Sequence, residues 1–202
     1  MSGEKEYEKP KKGLYGGMGR AEPPEGVHHW MVYCLDLDSG KVLWKREAHQ
    51  GQPQVPRHPK STYASETPVT DGQRVYALFG DVGLYCYDFE GKQLWSHTIE
   101  PKKSLFNYGA AASPVICGDL VIMVYDNMEE RYIAAFDTET GEQRWRTARP
   151  PRALLGGTRS TWATPLVWKN DLRTEIVTSD YRCIRSYDPG GKVLWELRGP
   201  TS

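Results

Sequence analysis

The chain has 202 residues, 39% of them hydrophobic and 26% charged, with 26 basic side chains matched by 26 acidic ones. This composition is that of a folded globular chain and excludes a disordered one. Balanced charge excludes a global pull toward nucleic acid, and no apolar run approaches the roughly 20 residues of a membrane-spanning helix.

Residues 1–29 form a polar segment rich in Gly and Pro, with Lys5, Lys9, Lys11, Lys12, Pro10, Pro23 and Pro24. It lacks the apolar stretch of a signal peptide. From residue 30 to 202 the chain reads as short strands. Residues 30–48 make half a unit around Tyr33-Cys34-Leu35 and Trp44. Residues 64–99 make a complete one: Thr67–Thr70, Arg74–Phe79, Leu84–Tyr87 and Gln93–Ile99, divided by Asp71-Gly72, Gly80–Gly83 and Glu90–Lys92. β-Branched and aromatic runs bounded by Gly and Asp are the signature of strands and tight turns. Residues 112–148 repeat the order with Ser113–Ile116, Leu120–Tyr125, Tyr132–Phe136 and Gln143–Arg146. Residues 163–198 do so again with Thr164–Trp168, Glu175–Thr178, Cys183–Tyr187 and Lys192–Glu196. No helical periodicity competes.

One motif closes every unit. It comprises Asp36, Gly40 and Trp44; Asp88, Gly91 and Trp95; Asp137, Gly141 and Trp145; and Asp188, Gly191 and Trp195. The tryptophans are 51, 50 and 50 residues apart. A fixed period near 50 marks stacked supersecondary units, each too small to bury its own apolar face. Four antiparallel strands per period describe the blade of a β-propeller, an all-β fold. The chain then holds about three and a half blades, a partial ring. In the motif, the Asp carboxylate is placed to accept turn N–H groups. The Gly supplies a positive φ, and the Trp buries a flat ring against the next blade.

Four cysteines raise the question of disulfides or a metal. Cys34, Cys86, Ala135 and Ser186 are equivalent, each two residues before the repeat Asp, so the site calls for a small side chain. With no Cys-x-x-Cys pair, the cysteines read as small buried hydrophobes.

These motifs resemble the tryptophan-docking repeat of the quinoprotein-type, PQQ-like propeller family, most closely in Asp137-Thr138-Glu139-Thr140-Gly141-Glu142-Gln143-Arg144-Trp145 and over residues 30–198. The chain is similar to bacterial PQQ-binding-like propeller proteins and to the propeller lipoprotein of β-barrel assembly. The resemblance implies two functional kinds. One is the pyrroloquinoline quinone dependent dehydrogenase, with an adjacent Cys-Cys pair, a calcium site and an Asp base. The other is a non-catalytic assembly scaffold. No Cys-Cys pair occurs here, so the expectation is a binding or assembly scaffold without PQQ or calcium, part of a quinoprotein oxidoreductase being the alternative. The resemblance also implies a periplasmic or exported setting if the true N-terminus lies upstream.

Other chemistry is thinly represented. Glu66 could mimic a calcium ligand, with Asn107 and Asn127 equally unspecific candidates. Asp36-x-Asp38-x-Gly40 with Glu47 departs from a calcium loop in its glycine position. His28-His29, His49 and His58 have nothing nearby to complete a metal set. Gly156-Gly157 lacks the rest of a phosphate loop, and no Gly-x-Ser-x-Gly elbow appears.

The long connections between blades share one face. They carry Arg57, Lys60, Lys102, Lys103, Arg149, Arg152 and Arg159 with Tyr63, Phe106, Tyr108 and Trp162, beside Glu66. Loops on a rigid scaffold are where binding concentrates. The expected partner is a protein or a small anionic or sugar-like ligand. Shorter turns on the same face, with Asp81, Glu129, Glu130 and Asp180, offset this charge. The half unit at the start leads to the expectation that the chain is a fragment of a longer propeller. Self-association of two arcs through open blade edges is the alternative, and a four-bladed closure by the N-terminal segment a third.

Overall fold

The computed structural model describes residues 17–149, 160–180 and 183–199. Strands β1 (His28–Leu35) and β2 (Val42–Gly51) pair as a two-stranded sheet. The second sheet holds β3 (Val69–Thr70), β4 (Arg74–Phe79), β5 (Gly83–Asp88) and β6 (Gln93–Thr98). The third holds β7 (Val115–Cys117), β8 (Leu120–Asp126), β9 (Arg131–Asp137) and β10 (Gln143–Ala148). The fourth holds β11 (Leu166–Lys169), β12 (Thr174–Asp180), β13 (Cys183–Tyr187) and β14 (Val193–Arg198). In each complete sheet the strands lie in sequence order, every pair antiparallel. The molecule is therefore an arc of propeller blades, the first represented among the described residues by its outer two strands.

The core lies between blades, because each sheet exposes two apolar faces and covers neither alone. Trp30 and Val32 of the first sheet pack on Ala77, Phe79, Tyr85 and Tyr87 of the second. Tyr76, Leu84, Cys86 and Trp95 pack on Val121, Met123, Ala134 and Phe136 of the third. Ile122, Ile133 and Ala135 pack on Ile176 and Tyr187 of the fourth. The inner strands are linked through the Ser/Thr-Pro steps at which they start. The Thr67 N–H donates to Ser113 Oγ at 2.8 Å, and the Ser113 N–H donates to Thr164 Oγ1 at 3.1 Å. Ser113 and Thr164, each before a proline, thus supply the hydroxyl that accepts from the blade before.

The repeat motif works as a lock between blades. Trp44, Trp95 and Trp145 lie over Gly91, Gly141 and Gly191, where an added Cβ would stand 2.7, 2.5 and 2.6 Å from the indole. Their indole N–H groups donate to the carbonyls of Phe89, Thr138 and Pro189 at 2.8, 3.1 and 2.8 Å. The same glycines hold φ of 79°, 72° and 84°, so glycine is required twice over, for the turn and for the ring. Cys34, Cys86, Ala135 and Ser186 stand directly across the strand pair from Trp44, Trp95, Trp145 and Trp195. That position explains the small side chain. The Asp carboxylates accept turn N–H groups: Asp36 from Ser39, Asp88 from Lys92, Asp137 from Glu139 and Thr140, and Asp188 from Lys192. The bond from Arg144 holds the Asp137 carboxyl well below the usual carboxylate range.

Candidate functional site

Connections 52–68 and 99–114 and residues 160–165 gather on one face with the turns at 80–82 and 127–130. Of the loop cations expected to form a free basic surface, Arg57, Lys102 and Arg149 are engaged within the protein. Arg57 is 3% exposed; Nη1 donates to the carbonyls of Ser61 and His58, and the guanidinium lies over the Tyr63 ring at 5.3 Å. Tyr63 is buried and its hydroxyl donates to the Val55 carbonyl. Lys102 Nζ pairs with Glu100 at 2.9 Å and Glu129 at 3.2 Å. Lys60 and Lys103 are exposed. Arg152 and Arg159 lie outside the described residues. His29 pairs with Glu47, and among the described residues no three His, Cys, Asp or Glu side chains gather to hold a metal.

A recess opens between the second and third blades, lined in part by Glu66, Asp81, Lys102, Ser104, Asp126 and Asn127. Its volume of about 20 Å³ has room for about one water. Glu66 Oε1 accepts the Gly80 N–H at 2.9 Å. A Cβ on residue 80 would stand 2.6 Å from that oxygen, so glycine admits the carboxylate. Burial pushes the Glu66 carboxyl up to about 7, and loss of water does the same to Asp81 on the rim.

This has a consequence for stability. The unfolded Glu66 ionises near 4.5, the folded one near 7. Below 4.5 both states are neutral. As pH rises between those values, the unfolded state sheds its proton first and folding weakens, by roughly 3 kcal/mol once pH passes 7. The thermal midpoint is therefore expected to be higher at pH 5.5 than at pH 8. Glu66→Gln, which keeps the acceptor for Gly80, is expected to reduce that difference and leave the part that Asp81 contributes. A pH profile unchanged by the substitution would contradict the assignment.

From the recess a buried ionic chain runs into the fourth blade. Arg149, 1% exposed, places Nε 3.1 Å from Asp126 Oδ1, and its Nη1 donates to Thr178 Oγ1. Asp126 also accepts from Arg131 at 2.9 Å and from Thr161 at 2.6 Å. Arg131 reaches Asp180 at 3.1 Å, which accepts from Arg185 at 2.7 Å; Arg185 in turn donates to Glu196. Arg149, by sequence a loop cation, and Asp180, by sequence a turn acid, are thus both internal partners. Asp126, Arg131, Thr178 and Arg185 carry no local signal, since their partners lie in other strands.

Outside the recess lies an aromatic cluster. Phe106 is 47% exposed and its ring is 5.7 Å from Tyr108, which lies 5.5 Å from Trp162 and 5.1 Å from His58. Trp162 is tied by its indole N–H to the Gly109 carbonyl at 2.7 Å. Phe106 and Asn107, in the 3-10 turn Leu105–Asn107, hold φ of 56° and 57°. L-residues pay for that conformation, and such strain concentrates at functional sites. The neighbouring segment secures it: the Gly19 N–H donates to the Phe106 carbonyl, and Asn107 Nδ2 donates to the Arg20 carbonyl.

Four-stranded blades locked by tryptophan and glycine define a PQQ-like β-propeller with a quinoprotein-like fold. The chain belongs to the family described as outer membrane protein assembly factor BamB, whose model matches residues 29–201. Among solved structures it is similar to BamB from Moraxella catarrhalis, at 16% identity and a TM-score of 0.55, over 83% of this chain and 42% of that one. A quinohemoprotein alcohol dehydrogenase from Pseudomonas putida HK5 matches at 17% identity and a TM-score of 0.56, over 87% and 33%. A europium-containing methanol dehydrogenase matches at 16% and 0.55, over 85% and 39%. At such identities the likeness is one of fold, and the chain spans less than half the length of each. A search of curated proteins found no match. Among the described residues no helix is long and apolar enough to cross a membrane.

Proposed function

We propose that the chain is a non-catalytic arc of a larger propeller that holds a protein partner on its loop face, in a periplasmic or exported setting. The carrying observation is the strained, half-exposed Phe106 on its stack of Tyr108 and Trp162, with Lys103 exposed nearby. Aromatics on a rigid support, beside a cation, suit a protein surface. The family's name, outer membrane protein assembly factor, points to an envelope protein as the partner.

The recess supports the non-catalytic half of this reading. Pyrroloquinoline quinone is a planar tricarboxylate, whereas the recess has room for about one water and presents Glu66, Asp81 and Asp126 beside a single cation, Lys102, that is paired with Glu100 and Glu129. Arg149 and Arg131 already face Asp126. The residues do not fit that group. Quinone added to the chain is expected to leave its tryptophan fluorescence unchanged; a saturable change would favour the quinoprotein alternative.

The partner is tested by photo-crosslinking. Benzoylphenylalanine at position 106 is expected to trap a protein from a solubilised bacterial outer-membrane fraction. The same probe at Phe89, half exposed on the opposite rim, is the control. Adducts at 106 that are absent at 89 and competed away by unlabelled chain, but not by its Phe106→Asp variant, support the reading. Equal labelling at both positions overturns it.

A further inference from the structure

A second cavity opens on the loop face at the junction of the first and second sheets, and residues of both sheets line it. Its buried lining includes Trp30, Tyr63, Val82 and Ile99, and its exposed lining His49, Gln52 and Gln54. A volume of about 100 Å³ holds several waters. It falls short of the roughly 300–1,000 Å³ that takes a whole cofactor. The space therefore suits one elongated group of side-chain size.

The aromatic wall is held in place by backbone. The Trp30 indole N–H donates to the Tyr63 carbonyl at 3.1 Å, and the Tyr63 hydroxyl donates to the Val55 carbonyl at 2.7 Å. The Trp30 and Tyr63 rings lie 6.0 Å apart at 60°, and the His49 ring lies 5.2 Å from Trp30. With their polar ends engaged, Trp30 and Tyr63 offer the cavity their π-systems, which attract cations.

One carboxylate lines this cavity, and no Lys or Arg does. It is Asp81, in the turn between β4 and β5, which also lines the recess around Glu66 and so stands between the two spaces. Asp81 meets the Ala110 backbone N–H, and loss of water pushes its carboxyl up to about 7. The nearby cations are engaged elsewhere: Lys102 with Glu100 and Glu129, Arg57 with the carbonyls of His58 and Ser61. A desolvated carboxylate is costly unless a cation meets it. Asp126 has Arg149 and Arg131 for that purpose. Asp81 has no such partner among the described residues, and aromatic rings line the space in front of it.

We propose that this cavity binds an organic cation, a guanidinium or alkylammonium group, with Asp81 as its counter-ion and Trp30, Tyr63 and His49 as its aromatic wall. The connection that carries Tyr63 also carries His58, whose ring lies 5.1 Å from Tyr108. The cavity and the Phe106 cluster thus share a supporting loop. The source of the cation rests on the loop-face reading: it is an Arg or Lys side chain of the protein partner.

The probe is butylguanidine, with butylurea as its neutral isostere, titrated into the ¹⁵N-labelled 202-residue chain. The readout is the Trp30 indole N–H resonance, assigned through Trp30→Phe, while the other indole resonances report folding. Butylguanidine is expected to shift that resonance saturably, and butylurea to leave it in place. Asp81→Asn keeps an acceptor for the Ala110 N–H. It is expected to weaken binding by about tenfold or more, with a thermal midpoint at pH 8 equal to or above that of the parent, since an unpaired carboxylate is removed. Equal binding of butylurea, undiminished binding to Asp81→Asn, or no shift with butylguanidine overturns the cation site. A capped Gly-Arg-Gly peptide separates the sources. Its binding at the same resonance supports a protein side chain; its exclusion while butylguanidine binds overturns the protein source and assigns the cavity to a free small cation. The titration needs no partner and leaves position 106 untouched, so the cavity and the Phe106 reading fail separately.

Discussion

Asp126→Ala is expected to lower folding stability by roughly 3–5 kcal/mol, at the upper end of that range. The carboxylate is the shared anion of Arg149 and Arg131, which are 1% and 8% exposed. Its removal leaves Arg149 buried with Thr178 as its hydrogen-bond partner and without its carboxylate, while Arg131 keeps Asp180. Uncompensated buried charge costs far more than a lost surface pair, because water no longer screens it. The control is Glu130→Ala, which breaks the half-exposed pair with Arg146 and is expected to cost under about 1 kcal/mol. Urea midpoints of the two variants measure the contrast. Equal midpoints would mean that Asp126 is hydrated and the ionic chain carries little of the junction between the third and fourth blades.

Trp95→Ala is expected to cost roughly 3–5 kcal/mol, the range for deleting a large buried aromatic. Trp95 is 9% exposed, packs 5.8 Å from the Tyr76 ring, and donates to the Thr138 carbonyl. Its loss empties the lock between the second and third blades and leaves that carbonyl without its indole donor. Gly141→Ala attacks the same lock from the other side. It adds backbone strain at φ 72° and places a methyl group 2.5 Å from the indole, a combination expected to cost roughly 2–5 kcal/mol. Gly40→Ala adds strain alone, about 1–2 kcal/mol, because open space surrounds it. Thermal melts ranking Gly40→Ala level with Gly141→Ala would show that the stacked ring contributes little.

The candidate site was only partly legible. Phe106, Tyr108 and Trp162 stand out as aromatics in long polar connections, and the structure brings them together. The role of Arg57 was not readable, because a loop arginine looks the same whether it faces water or folds back on its own carbonyls. Lys102 is similar: Glu100 is near in sequence, but Glu129 arrives from another turn. The ionic chain through Asp126 escaped altogether, since its members are spaced irregularly along β8, β9, β12, β13, β14 and the connections between them, and none sits in a motif.

By itself the sequence determined the blade and its lock. Asp137, Gly141 and Trp145 with their three counterpart sets mark every turn, and the alternation around them sets every strand, because these features act within one repeat and across the next. Tertiary structure alone decided three further matters. It showed that Arg57, Lys102 and Arg149 are satisfied internally, and that Glu66 is buried against Gly80, which pushes its carboxyl up to about 7. It also showed that Arg131 joins Asp126 of the third blade to Asp180 of the fourth. Each depends on which groups meet in space and how much water remains between them, and neither quantity is encoded in local spacing.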